Sequence, residues 1–156
     1  MSEAREVHSA LGVANYFIRR AAATGGLDAL QIMKLVYLAH GFDLAILKKP
    51  LIYEDIYAWK YGPVIRSIYS ELPSGSAKIA TLLGGGAVAD LKGQEKNIVD
   101  QVYDKYHKLS GMTLSNLTHR EDSPWHRTWK VYGQNAVIPQ DDIREYFSDV
   151  LSRGTF

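Results

Sequence analysis

Cysteine is absent from this 156-residue chain. Its absence excludes disulfide bonds, thiolate zinc sites and a cysteine nucleophile, and it favours a reducing compartment such as the cytoplasm. An excess of charge of either sign is lacking too, because 18 basic residues face 17 acidic ones and the net charge is +1. Proteins that bind the phosphates of nucleic acid normally have a basic excess. We therefore expect a cytoplasmic protein that does not bind nucleic acid.

A long uninterrupted hydrophobic run is also missing. The longest apolar stretch, residues 30–47, is interrupted by Lys34, His40 and Asp43, whereas a membrane span needs about 20 mainly apolar residues. The first five residues lack the cationic and then apolar layout of a signal peptide. We expect neither export nor membrane association, and we expect residues 30–47 to form a buried helix.

Apolar residues recur at intervals of three and four in several segments, which is the period of one helix face. The first predicted helix runs from Val7 to Ala21 and ends before Gly25. The second begins at Asp28, because Asp28 and Gln31 have the spacing of a capping box. Further helices are predicted after Pro63, along residues 98–109 with a stop at Gly111, from an N-cap at Thr113, from an N-cap at Ser123 with Pro124 next, and after Pro139.

Two segments differ from this helical pattern. Residues 56–61 are dense in β-branched and aromatic side chains and predict a short strand. Residues 73–91 are rich in serine and glycine and predict a loop, with a hairpin as an option. The length is typical of one domain. The predicted fold class is therefore mainly α (α+β): a single compact helical domain over residues 1–156 with a small antiparallel β element.

Catalytic and metal-binding motifs are incomplete. No H-E-x-x-H run occurs, and His119 and His126 do not have a standard ligand spacing, so we expect no metal and no cofactor. The G-x-S-x-G elbow and the phosphate-binding loop are absent as well. The cluster His119, Glu121 and Asp122 could serve acid and base roles, but hydrogen bonding at helix ends is the interpretation we favour. We expect a protein that is not an enzyme.

Aromatic residues are the remaining candidates for function, with ten tyrosines and three tryptophans. Tyrosine and tryptophan are enriched where one protein anchors in another. On a strand, Tyr57, Trp59 and Tyr61 would point to the same face. That face either packs on the helices, which we favour, or contacts a partner. Tyr57 and Tyr61 are the candidate partner-binding residues.

Two segments together are more specific than any periodicity. The motif residues are Trp59, Lys60, Tyr61, Gly62, Pro63 and Val64 in the first segment, and Leu117, Thr118, His119, Glu121, Pro124 and Trp125 in the second. They resemble the two hallmark stretches of the Panacea family, also called SocA-like antitoxin domains. Residues 33–41 and 49–51 resemble the opening segment of that family in the same order.

This resemblance implies a bacterial or phage-associated antitoxin of a toxin–antitoxin pair, which neutralises a co-encoded toxin by direct binding. The implied partner is a cognate toxin protein. Some relatives act as proteolytic adaptors that deliver a toxin to an AAA+ protease, and this is the alternative mechanism. The third and least favoured hypothesis is an enzyme that uses His119 with Glu121 or Asp122. The motif residues are expected to be structural or partner-binding.

Overall fold

A computed structural model of the chain describes residues 7–154. Within that range the chain forms seven α-helices and three short strands. The elements are α1 (Ala10–Ala21), α2 (Ala29–Leu47), β1 (Tyr57–Trp59), β2 (Gly62–Val64), α3 (Arg66–Tyr69), α4 (Gly93–Tyr106), α5 (Gly111–Thr118), α6 (Pro124–Tyr132), β3 (Ala136–Val137) and α7 (Gln140–Arg153). The predicted fold class is confirmed: the described chain is mainly α with a small antiparallel sheet.

Helix α2 lies at the centre of the core. Its start is the predicted capping box, because the Asp28 side chain accepts from the Gln31 backbone N–H at 2.8 Å and the Gln31 side chain accepts from the Asp28 backbone N–H at 2.9 Å. It packs against α1, α4, α5 and α7, and nearly all of its residues are buried. In the described chain α2 is the one helix long and apolar enough to cross a membrane, and 83% of its apolar window is buried inside the protein. The apolar composition of α2 is therefore explained by its burial at the centre of the protein.

The sheet has the order β2-β1-β3, and both pairings are antiparallel. Trp59 pairs with Gly62, so Lys60 and Tyr61 form a two-residue hairpin turn. The helix predicted directly after Pro63 was wrong, since Gly62–Val64 is a strand and α3 starts only at Arg66. Proline favours a first helical position through its fixed φ, but that φ also suits a strand edge. Here the ladder with β1 determines the outcome.

Two other predicted helix boundaries were wrong. Helix α1 starts at Ala10 rather than Val7, because His8 forms a bridge with Ile52 and the Ser9 hydroxyl caps the helix. Gly111 does not end the helix before it but opens α5, with Ser110 rather than Thr113 as the N-cap. A serine that can serve as an N-cap precedes each of these two helices, Ser9 in the first case and Ser110 in the second. The sequence prediction gave more weight to the spacing of the apolar residues than to these serines.

The segment between α3 and α4 is a loop, as predicted, without the optional hairpin. It touches the core through Ile79, Leu83 and Leu91, which are buried. Asn15 on α1 fixes it: its amide nitrogen donates to the carbonyls of Leu83 and Ala87, and its amide oxygen accepts from the Leu83 N–H at 2.7 Å. A buried asparagine that satisfies three backbone groups explains how a glycine-rich loop keeps a defined path.

Helix α7 follows Pro139 as predicted and covers α2. Phe147 lies edge-on to Phe42 and to Tyr37, with ring centroids 4.9 and 5.7 Å apart. Gly41 makes the close approach possible, because a Cβ there would lie 2.3 Å from a carbon of the Phe147 ring. Leu151 is 46% exposed, since it lies in the last turn of the helix.

Candidate partner-binding site

The two motif segments of the sequence meet in space. The indole N–H of Trp125, at the start of α6, donates to the carbonyl of Trp59 at 2.6 Å. The hydroxyl of Ser115, on α5, donates to the carbonyl of Tyr61 at 3.1 Å. The β1–β2 hairpin is therefore bound to the α5–α6 corner through its own backbone. Residues separated by more than fifty positions form one structural unit.

Trp125 is a structural residue of this unit. Its side chain is buried, with the edge of the His119 ring on one side at a centroid distance of 5.4 Å and the stacked Trp129 ring at 5.7 Å. Ser123 caps α6 by accepting from the His126 N–H, and Pro124 occupies the first turn as predicted. The local cap thus fixes the direction from which the indole enters the core.

The second motif's remaining residues have mainly structural environments. Thr118 is buried, and its hydroxyl donates to the carbonyls of Leu114 and Ser115. The His119 ring donates from Nδ1 to the Ser115 carbonyl, and Leu117 is half-buried against the core. Glu121 and Asp122 are exposed. The expected hydrogen bonding at the helix end therefore involves Thr118 and His119, while the structure does not gather the two acids around the imidazole.

Trp59 is only half-buried and lies at the edge of a cleft. Its indole N–H donates to the Asn135 side-chain oxygen at 3.0 Å, and its ring meets the Tyr69 ring edge-on at 4.8 Å. Tyr61 is in the turn rather than on the strand, and it is 69% exposed. The three aromatic residues expected on one strand face thus have different environments.

Tyr57 lies apart from this cleft. The Arg66 guanidinium covers its ring at 3.7 Å from the centroid and also donates to its hydroxyl. Tyr57, Tyr53 and Arg66 line a separate shallow depression. The two candidate partner-binding residues, Tyr57 and Tyr61, are therefore not brought together.

The cleft next to Tyr61 has a volume of about 710 Å³ and is hereafter called the aromatic cleft. Its walls come from α2, the β1–β2 hairpin, α3 and the beginning of the following loop. The side chains with apolar surface that line it are Ala29, Leu30, Met33, Trp59, Tyr61, Val64, Tyr69, Leu72 and Pro73. Among the described residues lining it, the charged ones are two lysines, Lys34 and Lys60.

Lys34 is the most unusual residue of the aromatic cleft. Its side chain is 2% exposed, and its ammonium donates to the Pro63 carbonyl at 2.9 Å. Burial lowers the pKa of Lys34 to about 7, because desolvation disfavours the charged form. Gly62 allows the close approach: its φ is +126°, and a Cβ there would lie 2.9 Å from the Lys34 nitrogen.

Sequence reasoning missed the roles of Lys34, Met33 and Tyr69. In the sequence Lys34 interrupts an apolar helix, and a lysine at a position where the helical pattern requires burial is itself a signal. Tyr69 could not be recognised, because its place beside Trp59 depends on how the hairpin folds back. Among residues 7–154 no group of three or more His, Asp and Glu side chains is arranged to hold a metal ion.

The comparisons with known proteins agree with this geometry. The sequence model of the family described as "Antitoxin SocA-like, Panacea domain" matches residues 32–126, which include both motif segments and the Lys34 helix. The chain belongs to that family. It is 27% identical over 127 residues to Antitoxin SocA from Caulobacter vibrioides (strain NA1000 / CB15N), a match that covers 74% of this chain and 68% of that protein. No solved structure matches the chain significantly.

Proposed function

We propose that this chain is a non-enzymatic antitoxin that neutralises a co-encoded toxin in the cytoplasm by binding it in the aromatic cleft. The observation that supports this proposal is the construction of the cleft. Most of the residues that line it belong to the matched family region, and Tyr61 and Tyr69 remain 69% and 55% exposed at its rim. Exposed tyrosines around a concave apolar surface are typical anchors for a protein partner.

Specificity for one toxin would come from the loop side of the aromatic cleft. Pro73, Ser74 and Gly75 line it, and they begin the loop that carries no recognisable family motif. Loops on a rigid scaffold commonly determine which partner is bound. A shared hairpin and helix floor with a variable wall would allow one fold to bind different toxins.

The experiment that tests the proposal is co-expression of the chain with each neighbouring gene product, followed by a growth assay and a pull-down. We expect one neighbour to be toxic alone, to be retained by this chain and to lose its toxicity. Occlusion predicts that protection requires about equimolar amounts, since binding rather than turnover sets the outcome. The proposal fails if no neighbour is toxic and none is retained.

The same assay separates occlusion from delivery to a protease. An adaptor is reused, so it would protect at amounts far below equimolar and would lose its effect when the host AAA+ protease is deleted. Occlusion predicts that deletion of the protease leaves protection unchanged and that the toxin accumulates in the complex. The half-life of the toxin, measured with and without this chain, gives the same distinction independently.

A further inference from the structure

The ammonium of Lys34 is buried and makes fewer hydrogen bonds than its three N–H donors allow. Among the described residues its one acceptor is the Pro63 carbonyl. An ammonium has three N–H donors, so two of them have no acceptor among the described residues and are available to a ligand in the cleft. Leaving a buried charged donor without acceptors is costly. If the only role of Lys34 were to donate to the Pro63 carbonyl, a neutral donor could do so at a lower cost of desolvation.

The surroundings of Lys34 favour an anionic ligand. Lys34 lines the aromatic cleft, and the second charged group there is Lys60, whose ammonium lies 5.4 Å from the centre of the Tyr61 ring. No aspartate or glutamate is among the described residues that line this cleft. The aromatic cleft therefore has positive charge at its floor and rim, apolar walls and no internal counter-charge.

We propose that Lys34 is the binding point for a carboxylate of the partner protein, which enters the aromatic cleft with apolar groups on either side of it. This inference rests on the proposed function, in which the partner is the toxin. The partner's carboxylate would accept hydrogen bonds from the two remaining N–H groups of Lys34, and its neighbouring apolar groups would pack against Trp59 and Met33. Charge-assisted hydrogen bonds in a desolvated site are stronger than those between neutral groups.

The pH dependence of binding gives this inference a distinctive signature. Burial holds the pKa of Lys34 at about 7 in the free chain, and a bound carboxylate would raise it again because it stabilises the cation. The affinity for a carboxylate should then fall as the pH rises above 7, by up to about tenfold per pH unit. Among the described residues, the titratable groups that line the cleft with Lys34 are Lys60, Tyr61 and Tyr69, and His119 lies beside Gly62 next to the Lys34 ammonium. The series is therefore repeated in His119→Gln, which should keep the decline above pH 7.

The first test uses a matched pair of small probes and the unaltered full chain. N-acetyl-L-phenylalanine has a carboxylate, and N-acetyl-L-phenylalanine amide has the same shape without the charge. We expect the acid to perturb the Trp59 indole N–H resonance and to bind at least about tenfold more tightly than the amide. Equal binding of the two probes, or no response to either, would overturn the inference.

The second test uses variants of the chain. Lys34→Gln keeps a donor for the Pro63 carbonyl but removes the cation, and Lys49→Met removes an exposed lysine beyond the far end of α2. We expect Lys34→Gln to lose the preference for the acid and Lys49→Met to keep it. Thermal melting shows whether each variant is folded. Should Lys34→Gln fail to fold, the probe pair and the pH series on the unaltered chain still decide the question.

The third test separates this inference from the proposed function. Each exposed Asp or Glu of the toxin found by co-expression is changed to Asn or Gln, and binding to this chain is measured. One such change should weaken the complex at least about tenfold with the unaltered chain and have little further effect with Lys34→Gln. If the toxin binds Lys34→Gln as tightly as the unaltered chain but no longer binds Tyr61→Ala, the proposed function stands and the carboxylate site is wrong.

Discussion

Gly62 shows how one residue connects the hairpin with the floor of the aromatic cleft. Its φ of +126° is rarely adopted by residues with a side chain, and an added Cβ would push the Lys34 ammonium away from the Pro63 carbonyl. Gly25 also has a positive φ, +102°, but an added Cβ there would meet no atom within 4 Å. Substitution of Gly25 therefore tests backbone strain alone, whereas substitution of Gly62 tests backbone strain together with a steric contact.

Gly62→Ala should therefore be more destabilising than Gly25→Ala. The control should lose about 1–2 kcal/mol from backbone strain alone, and Gly62→Ala should lose at least about 1 kcal/mol more because a buried ammonium is displaced. Denaturant unfolding of both variants measures the difference. Equal losses would contradict the close approach of Gly62 and Lys34.

Trp125 is predicted to be structural rather than partner-binding. Trp125→Ala removes a buried indole and leaves the Trp59 carbonyl without its donor, so it should cost about 3–5 kcal/mol of unfolding free energy. Trp129→Ala is the matched control and should cost less, because Trp129 is only partly buried. A Trp125→Ala variant that melts like the parent but no longer binds the toxin would place this residue in the interface.

At the scale of elements, the contact between α2 and α7 depends on Gly41. Replacing glycine by alanine inside a helix normally adds about 0.5–1 kcal/mol of stability. Gly41→Ala should instead destabilise by about 1–3 kcal/mol, because its Cβ would overlap the buried Phe147 ring. In a Phe147→Leu background, Gly41→Ala should destabilise the protein less, because the ring that the added Cβ would overlap is absent. A stabilised Gly41→Ala variant would show that α7 does not approach α2 so closely.

His40 joins three elements and makes stability depend on pH. Its Nε2 donates to the Gln140 side chain, and its Nδ1 accepts from the N–H groups of Leu51 and Ile52 at 3.3 and 3.4 Å. Burial lowers the pKa of His40 from 6.5 to about 4. Between these values the unfolded chain binds a proton that the folded chain does not, so stability falls as the pH falls.

The predicted loss from His40 is on the order of 3 kcal/mol between pH 7 and pH 4, at about 1.4 kcal/mol per pH unit. His40→Asn keeps an acceptor for the backbone but cannot titrate, so its stability should fall less steeply over the same range. Denaturant unfolding at closely spaced pH values gives both slopes. Parallel slopes for parent and variant would contradict a buried neutral His40.

Elements with local signals were predictable, and elements determined by distant contacts were not. The Asp28 cap and the Ser123–Pro124 start were recognised because each signal lies within four residues of the boundary that it sets. Gly62–Val64 was misassigned because its partner strand, not its own sequence, makes it extended. Gly111 was assigned to the end of a helix because glycine commonly follows a helix C-terminus, although Ser110 beside it is the N-cap of the next helix.

At the scale of the whole molecule, the sequence identified the family and both motif segments but not the aromatic cleft, which the first motif segment forms together with α2 and α3. Tyr61 was a candidate partner-binding residue from its residue type, while Lys34 and Tyr69 enter the site only through the folded hairpin and α3. A cleft is a property of several elements at once, so no single segment predicts it. The motif residues that the sequence did indicate, such as Trp125 and Thr118, mostly support the cleft from behind.

Binding of the toxin in the aromatic cleft is tested by calorimetric titration of the purified toxin into the purified chain. We expect one toxin per chain, affinity reduced at least about tenfold in Tyr61→Ala, and affinity within about twofold of the parent in Tyr53→Ala. Tyr53 is the matched control because it is 67% exposed and lies outside the aromatic cleft. Unchanged binding by both Tyr61→Ala and Tyr69→Ala would contradict the aromatic cleft as the site where the toxin binds.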